Sequence, residues 1–426
     1  MLKRSKKHFL LKMIRCIMCL IFLTGCANKE TSDISAANDT HVEETTYEPS
    51  KEILEESTAE TEVQQEIAGK SEQSDTEYQA RKILSEMTLE EKVYQMFFIT
   101  PEQLTGVGKV VAAGTATKEA IEKYPVGGII YFSQNIVSRE QTESMIKNIQ
   151  SYSKIPVFTG VDEERGIVSR IGSNLNMGTT VFPNMQEIGN TGDVKRAYEV
   201  GYVIGTESME LGFNLDFAPV ADVFSNPNNT VIGARAFSID AKIAADMVES
   251  CVKGFHDANM LCTLKHYPGH GDTLKDSHYG TAVTNKTLEE LRHNEFLPFK
   301  KGIQAGADFV MVGHILTPNI TDSSTPATLS GTMISILRDE LEFDGVIITD
   351  AMNMAAISDE HSSAEAAVKA IQAGVDMILM PVDFHDAVTG VMNAVKNGVL
   401  METMINDSVL RILCTKIDKG IIFSNR

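Results

Sequence analysis

The chain has 426 residues, 43% of them hydrophobic, enough for two average domains or for one α/β barrel with extensions. Acidic residues outnumber basic ones by 58 to 38, the formal net charge is −20, and no basic stripe interrupts this balance, which excludes nucleic acid as a partner. The six cysteines are scattered and do not form a disulfide framework.

The N-terminus carries Lys3, Arg4, Lys6, Lys7, Lys12 and Arg15, then an apolar run from Ile17 to Leu23, then Leu23-Thr24-Gly25-Cys26. The run falls short of the ~20 residues a membrane-spanning helix needs. The segment resembles a bacterial lipoprotein signal peptide with its lipobox. That likeness implies that residues 1–25 are a signal, that Cys26 is the lipidated N-terminus of the mature chain, and that the protein is extracytoplasmic and lipid-anchored at the cell membrane. From Cys26 to about residue 76 the chain is rich in Glu, Ser, Thr and Gln and poor in apolar residues, so it predicts a disordered acidic tether. The folded domain is expected over 77–426. Of its cysteines, Cys251, Cys262 and Cys414 all fall in apolar patterns and read as small buried hydrophobes.

A helical pattern of Ala80, Ile83, Leu84 and Met87 stops at Thr88, and Thr88-Leu89-Glu90-Glu91 is a capping box that opens a second helix. Strand-like runs then recur: Gln95 to Ile99, Gly128 to Phe132, Pro156 to Val161, Asn214 to Val220, Leu261 to Leu264, Phe309 to Val312, Val346 to Thr349 and Asp376 to Met380. Amphipathic helices separate them: Glu140 to Tyr152, Val194 to Leu211, Ala241 to Asp257, Leu288 to Ala305, Met333 to Leu341 and Ala364 to Ala373, with His385 to Lys396 and Met404 to Lys416 closing the chain. About eight strands alternating with helices fit a single α/β domain of the (β/α)8 TIM-barrel type, with loop insertions, better than an open sheet.

The polar residues gather where such a barrel keeps its chemistry, after the C-terminal ends of strands. Asp162 and Arg170 follow the third strand, Asn226, Asn228, Asn229 and Arg235 the fourth, His314 the sixth and Asp350 the seventh. After the fifth comes Lys265 to His278, KHYPGHGDTLKDSH, expected to be a loop because of Pro268, Gly269 and Gly271. It admits three readings: a solvated loop, a zinc site drawn from His266, His270, Asp272 and His278, or acid/base catalysis by an Asp276–His278 pair. Singly, Asp162 or Asp350 is as well explained as a helix cap; their convergence on one barrel face favours a site.

The segments GVDEERGIVSR, NLDFAPVADV with VIGARAFS, LKHYPGHGDTLKDSHYG, FVMVGHILTP and GVIITDAMNM, spread from Thr88 to Met380, resemble the family 3 glycoside hydrolases, and within them the NagZ-type β-N-acetylhexosaminidases. The resemblance implies Asp350 as nucleophile, His278 with Asp276 as acid/base, and Asp162, Arg170, Arg235, Lys265 and His266 as residues holding a terminal N-acetylglucosamine. It implies no metal and no cofactor. Glu164-Arg165-Gly166-Ile167 departs from the usual Glu-Gly-Gly-Arg. The expected activity is retaining exo-hydrolysis of β-linked N-acetylglucosamine from muropeptide or chitin fragments. The alternatives are a β-glucosidase, a phosphorylase of the same family and a non-catalytic sugar-binding lipoprotein. The absence of Trp fits a pocket for one ring better than a polysaccharide groove.

Overall fold

The structure is a computed structural model and describes residues 75–273, 280, 282–322 and 324–422. The expected signal peptide, Cys26, most of the tether, and Asp276 and His278 lie outside the described residues.

A helix covers 75–86, and the Thr76 hydroxyl reaches the Asp418 carboxylate on the last helix at 2.6 Å. The capping box forms as the sequence predicts: the Glu91 amide donates to the Thr88 hydroxyl and the Thr88 amide to the Glu91 carboxylate, starting the helix Leu89–Gln95. Eight parallel strands follow, named here β1 (Phe97–Ile99), β2 (Gly128–Tyr131), β3 (Phe158–Val161), β4 (Leu215–Asp216), β5 (Leu261–Tyr267), β6 (Phe309–Val312), β7 (Val346–Thr349) and β8 (Ile378–Leu379). Each pairs with its sequence neighbour, β1 pairs with β8 through Phe97 opposite Ile378, and β7 meets β8 through the Ile348–Met377 bridge. The sheet therefore returns on itself as a barrel, the TIM-type architecture expected from eight strands separated by helices.

The barrel interior is aromatic. Phe158 of β3 meets Phe309 of β6 edge to face with ring centroids 5.2 Å apart, a contact that strands three places apart make only across a barrel. Phe98 stacks on Phe158 and meets Phe217 at 5.3 Å. Gly160 faces the same space, because a Cβ there would come within 2.7 Å of Phe98 and 2.9 Å of Phe217. Cys251 and Cys262 are buried and Cys414 is half-buried, all three as free thiols.

Several elements differ from the sequence reading: the fourth and eighth strands are shorter than their apolar runs, the helix expected from Met333 to Leu341 turns from α to π geometry at Ile336, and a helix Thr115–Lys123 lies between β1 and β2. Two further differences bear on the site. The helix expected from Leu288 to Ala305 is two helices, Leu288–His293 and Phe296–Gln304, because Asn294 leaves helical geometry at φ −130°. The fifth strand extends to Tyr267, so Lys265 and His266 are strand residues, and the loop begins at Pro268. Both are stabilised by partners distant in sequence, which no local pattern reveals.

Candidate active site

β3, β4, β5 and β7 deliver ionisable side chains to one end of the barrel, the C-terminal end, around a cavity of about 250 Å³. The cavity is lined by the polar residues Asp162, Glu164, Arg170, Arg235, Lys265, His266, His270 and Asp350 and by apolar ones that include Ile130, Phe132, Met311, Met354 and Met380. Six of the eight residues proposed from sequence line it; Asp162, Arg170, Arg235, Lys265, His266 and Asp350 are those six. Such a cavity, with convergent polar groups among apolar side chains, suits one small polar ligand.

Lys265, at the end of β5, is buried and answered by two carboxylates: Nζ lies 2.8 Å from Asp162 Oδ1 and 2.6 Å from Glu164 Oε1. Burial alone would lower its pKa, but Asp162 and Glu164 outweigh it and the ammonium is held above its ordinary value. Glu164 is gripped from the other side by Arg235, whose Nε and Nη2 each donate at 2.8 Å in a bidentate pair. Burial pushes the Glu164 carboxyl up, yet Arg235 and Lys265 more than offset it, and it stays ionised well below the carboxylate range. Arg170 is more open, over the Phe132 ring with its Nη2 3.8 Å from Asp162 Oδ2.

His266 uses Nδ1 to bond Asp222 Oδ2 at 2.8 Å; against a carboxylate that nitrogen carries the proton, leaving Nε2 as the nitrogen available to a ligand. Asp222 also accepts from the His270 amide at 2.6 Å, so one fully buried carboxylate ties the end of β5 to its loop. Asn229 secures the same loop, donating to the carbonyls of His270 and Thr273 and accepting from the amides of Val231 and Ile232. The Thr273 hydroxyl sits 2.6 Å from His270 Nδ1. Burial, then the neighbouring His266, lowers the His270 pKa.

Asp350 follows β7 at the cavity wall. Its Oδ1 accepts from the Ala351 amide at 2.7 Å, and the Ala351 carbonyl in turn meets His314 Nε2 at 3.0 Å. Burial would raise the Asp350 pKa, but His266, His314 and the Ala351 amide together hold it below the usual carboxylate range. An ionised carboxylate fixed at a strand end in the wall of such a pocket has the makings of a nucleophile.

Of the donors in the zinc reading, His278 lies outside the described residues, and His266 and His270 each place Nδ1 against a protein group. Among the described residues the group with metal-ligand spacing is elsewhere: His256, Cys262 and Asp308, toward the start of β5 and β6. There Asp308 already takes His256 Nε2 at 3.0 Å, the Cys262 amide at 3.0 Å and Lys419 at 3.4 Å, which accounts for the cluster without an ion. Two residues central to the site were not singled out from sequence. Glu164 is the last of an acidic run, Asp162-Glu163-Glu164, and Asp222 is a lone carboxylate in the apolar stretch from Phe217 to Phe224, so neither is marked locally as a partner of the pocket cations and histidines.

Comparison with known proteins agrees with this geometry. The model described as the glycosyl hydrolase family 3 N terminal domain matches residues 88–415. The β-hexosaminidase A of Pseudoalteromonas piscicida is 35% identical over 334 residues, 71% of this chain and 55% of the relative. The β-hexosaminidase of Stenotrophomonas maltophilia (strain K279a) is 37% identical over 263 residues, 60% of this chain and 76% of the relative. Among solved structures, a family 3 β-N-acetylglucosaminidase from Paenibacillus sp. str. FPU-7 superposes with a TM-score of 0.74 at 35% identity, covering 80% of this chain and 64% of that one. The chain thus spans little more than half of the first relative and under two thirds of this structural neighbour.

Proposed function

The chain belongs to glycosyl hydrolase family 3, and from that membership we propose that it is a retaining exo-glycosidase that removes terminal, non-reducing β-linked N-acetylglucosamine from cell-wall or chitin-type fragments. The observation that carries this reading is the ionised Asp350, held by the Ala351 amide, in a cavity of about 250 Å³ whose wall also carries a paired network of Asp162, Glu164, Lys265 and Arg235. That wall can hold the hydroxyls of one sugar ring, and the names of the relatives support N-acetylglucosamine as that sugar.

In this reading Asp350 attacks the anomeric carbon and the glycosidic C–O bond breaks, while His278, oriented by Asp276, protonates the departing oxygen. Water then attacks the glycosyl-Asp350 ester, His278 takes its proton, and the second inversion restores the β configuration. Arg170, His266 Nε2 and the third N–H of Lys265 are donors for ring hydroxyls, since Arg235 gives two of its nitrogens to Glu164. The chemistry draws on no metal or cofactor. As part of the same reading, Cys26 carries lipid and holds the enzyme outside the cytoplasmic membrane; labelled palmitate should enter the protein and not its Cys26→Ala variant.

Nitrophenyl N-acetyl-β-glucosaminide and nitrophenyl β-glucoside, each with and without phosphate, test the reaction. The expected result is release from the first, indifferent to phosphate and to a chelator, with β-N-acetylglucosamine as the first product by NMR. An α product, or turnover that requires phosphate, would overturn the hydrolytic retaining mechanism. Asp350→Ala should lose turnover of every substrate. His278→Ala should slow a disaccharide by about 10²- to 10⁴-fold but a nitrophenyl glycoside far less, because nitrophenolate leaves without a proton. Equal slowing of both substrates would make His278 a binding residue.

A further inference from the structure

The geometry points to Arg165 as a positioning residue for the sugar pocket, a role that rests on the glycosidase reading above. Asp162 to Arg165 form the first arm of a short hairpin, Glu163–Arg165 against Val168–Ser169, that makes one wall of the cavity. Side chains alternate along it. Asp162 and Glu164 point inward to Lys265, and Glu163 and Arg165 engage partners outside the cavity.

On the outer side Arg165 is the hub. Its side chain is 3% exposed; Nη1 lies 3.2 Å from Glu163 Oε1 and donates to the Thr179 hydroxyl at 3.0 Å, and Nη2 pairs with Glu207 on the helix Val194–Glu210. Glu207 also accepts from the Thr180 amide at 2.8 Å and hydroxyl at 2.7 Å. Glu163 accepts from the Ile171 amide at 2.6 Å and from the Ser169 hydroxyl, while its own amide donates to the buried Asp216 at 2.9 Å. One guanidinium therefore joins the hairpin, the segment after Arg170 and an outer helix. The fit is close, since a Cβ at Gly172 would collide with Arg165 Nη1.

The backbone adds a second observation. Arg165 has φ +62°, a conformation that disfavours any residue with a Cβ, and the strand register shifts between Glu163 and Arg165. A large residue kept at a position that suits glycine implies that its side chain compensates for the strain. What it holds in place is the peptide that carries Asp162 and Glu164 on one side and leads to Arg170 on the other. Displacing them would leave the chemistry at Asp350 intact but misplace the groups that hold the ring.

Arg165→Gly in the full chain is the direct test, because glycine removes the guanidinium and relieves the positive φ, so the fold is not penalised twice. On whichever nitrophenyl glycoside the unaltered protein splits, KM should rise by about tenfold or more while kcat stays within about threefold. Arg165→Lys should lie between, and guanidinium ion at tens of millimolar should lower the KM of Arg165→Gly. Glu207→Gln, which removes the charge but keeps the volume, should shift KM in the same direction. An unchanged KM in both Arg165→Gly and Glu207→Gln, whatever happens to the melting temperature, would reduce Arg165 to a structural brace and overturn the proposal. Turnover of the glucoside in place of the N-acetylglucosaminide would instead overturn the sugar assignment and leave the Arg165 test standing.

Discussion

Lys265 and Lys416 are buried at opposite ends of the same barrel, and their surroundings differ in kind. Lys265, at the C-terminal end of β5, has carboxylate oxygens at 2.6 and 2.8 Å and keeps its charge more firmly than a lysine in water. Lys416, reaching the other end from the last helix, donates to the amide oxygen of Gln95 at 2.8 Å and lies 4.9 Å from the centre of the Phe158 ring. With no carboxylate among the described residues to answer it, burial pushes its pKa down to about 7. Desolvation acts on both; only at the pocket end does the protein supply opposite charge from two other positions. A buried charge backed by such a network is available to a ligand, whereas one without it is a cost to folding.

Removing each lysine should break that contrast in opposite directions. Lys265→Met leaves Asp162 and Glu164 without their shared cation, so stability should fall by about 3–5 kcal/mol and sugar affinity should be lost; urea unfolding together with KM would measure both. Should stability hold while KM rises, Arg235 and Arg170 carry the charge balance alone. Lys416→Met removes a charge that folding must desolvate. The chain should gain stability at pH 7, by up to about 5 kcal/mol, given about 1.36 kcal/mol per unit of displaced pKa. A lower urea midpoint would mean that the bond to Gln95 and the ring contact outweigh desolvation.

The pH dependence sharpens the same point. Lys416 has a folded pKa of about 7, below its ordinary 10.5, so between those values the unfolded chain binds more protons than the folded one. Stability should then rise with pH across that window, by about 1.4 kcal/mol per unit at the steepest, and the slope should vanish in Lys416→Met. Glu164 acts at the other end of the scale: its folded pKa is depressed, so the stability it contributes is present above about pH 4.3 and is lost as pH falls further. The smallest effect belongs to a residue outside the pocket, the cap of the helix that ends in Gln95. Thr88→Ala removes the capping box and should cost about 1 kcal/mol in the same unfolding measurement, without change in KM.

Local chemistry was legible and long-range pairing was not. The barrel could be read because each strand is a short apolar run and each helix an amphipathic stretch; Val346–Thr349, Phe309–Val312 and Ala241–Asp257 appear in the structure with the bounds their patterns imply. Asp162, Lys265 and Asp350 stood out because they follow such runs. Glu164, Asp222 and Arg165 gain their meaning from Arg235, His266 and Glu207, partners 71, 44 and 42 positions away. No window of neighbouring residues contains that information. The continuation of β5 through Lys265 and His266 was hidden for the same reason: charged residues fit a buried strand only when carboxylates from other segments meet them.

The interruption of the helix at Asn294 and Glu295 decides how far from the pocket an altered residue can be felt. At the break Glu295 turns inward and is fully buried, and it takes up the Lys286 ammonium, the Ser225 hydroxyl and the Asn294 amide. Its Cγ lies where a Cβ on Gly269 would come within 2.5 Å, directly under the turn that leads from β5 to His270. Lys286 reaches on to Asp272 at 3.9 Å, in the same turn. An unbroken helix would draw Glu295 back into the outer layer and take the floor from beneath that turn. Anyone recombining this barrel with a relative would therefore need to move residues 286–295 and 266–273 as one inheritable unit, although the chain separates them.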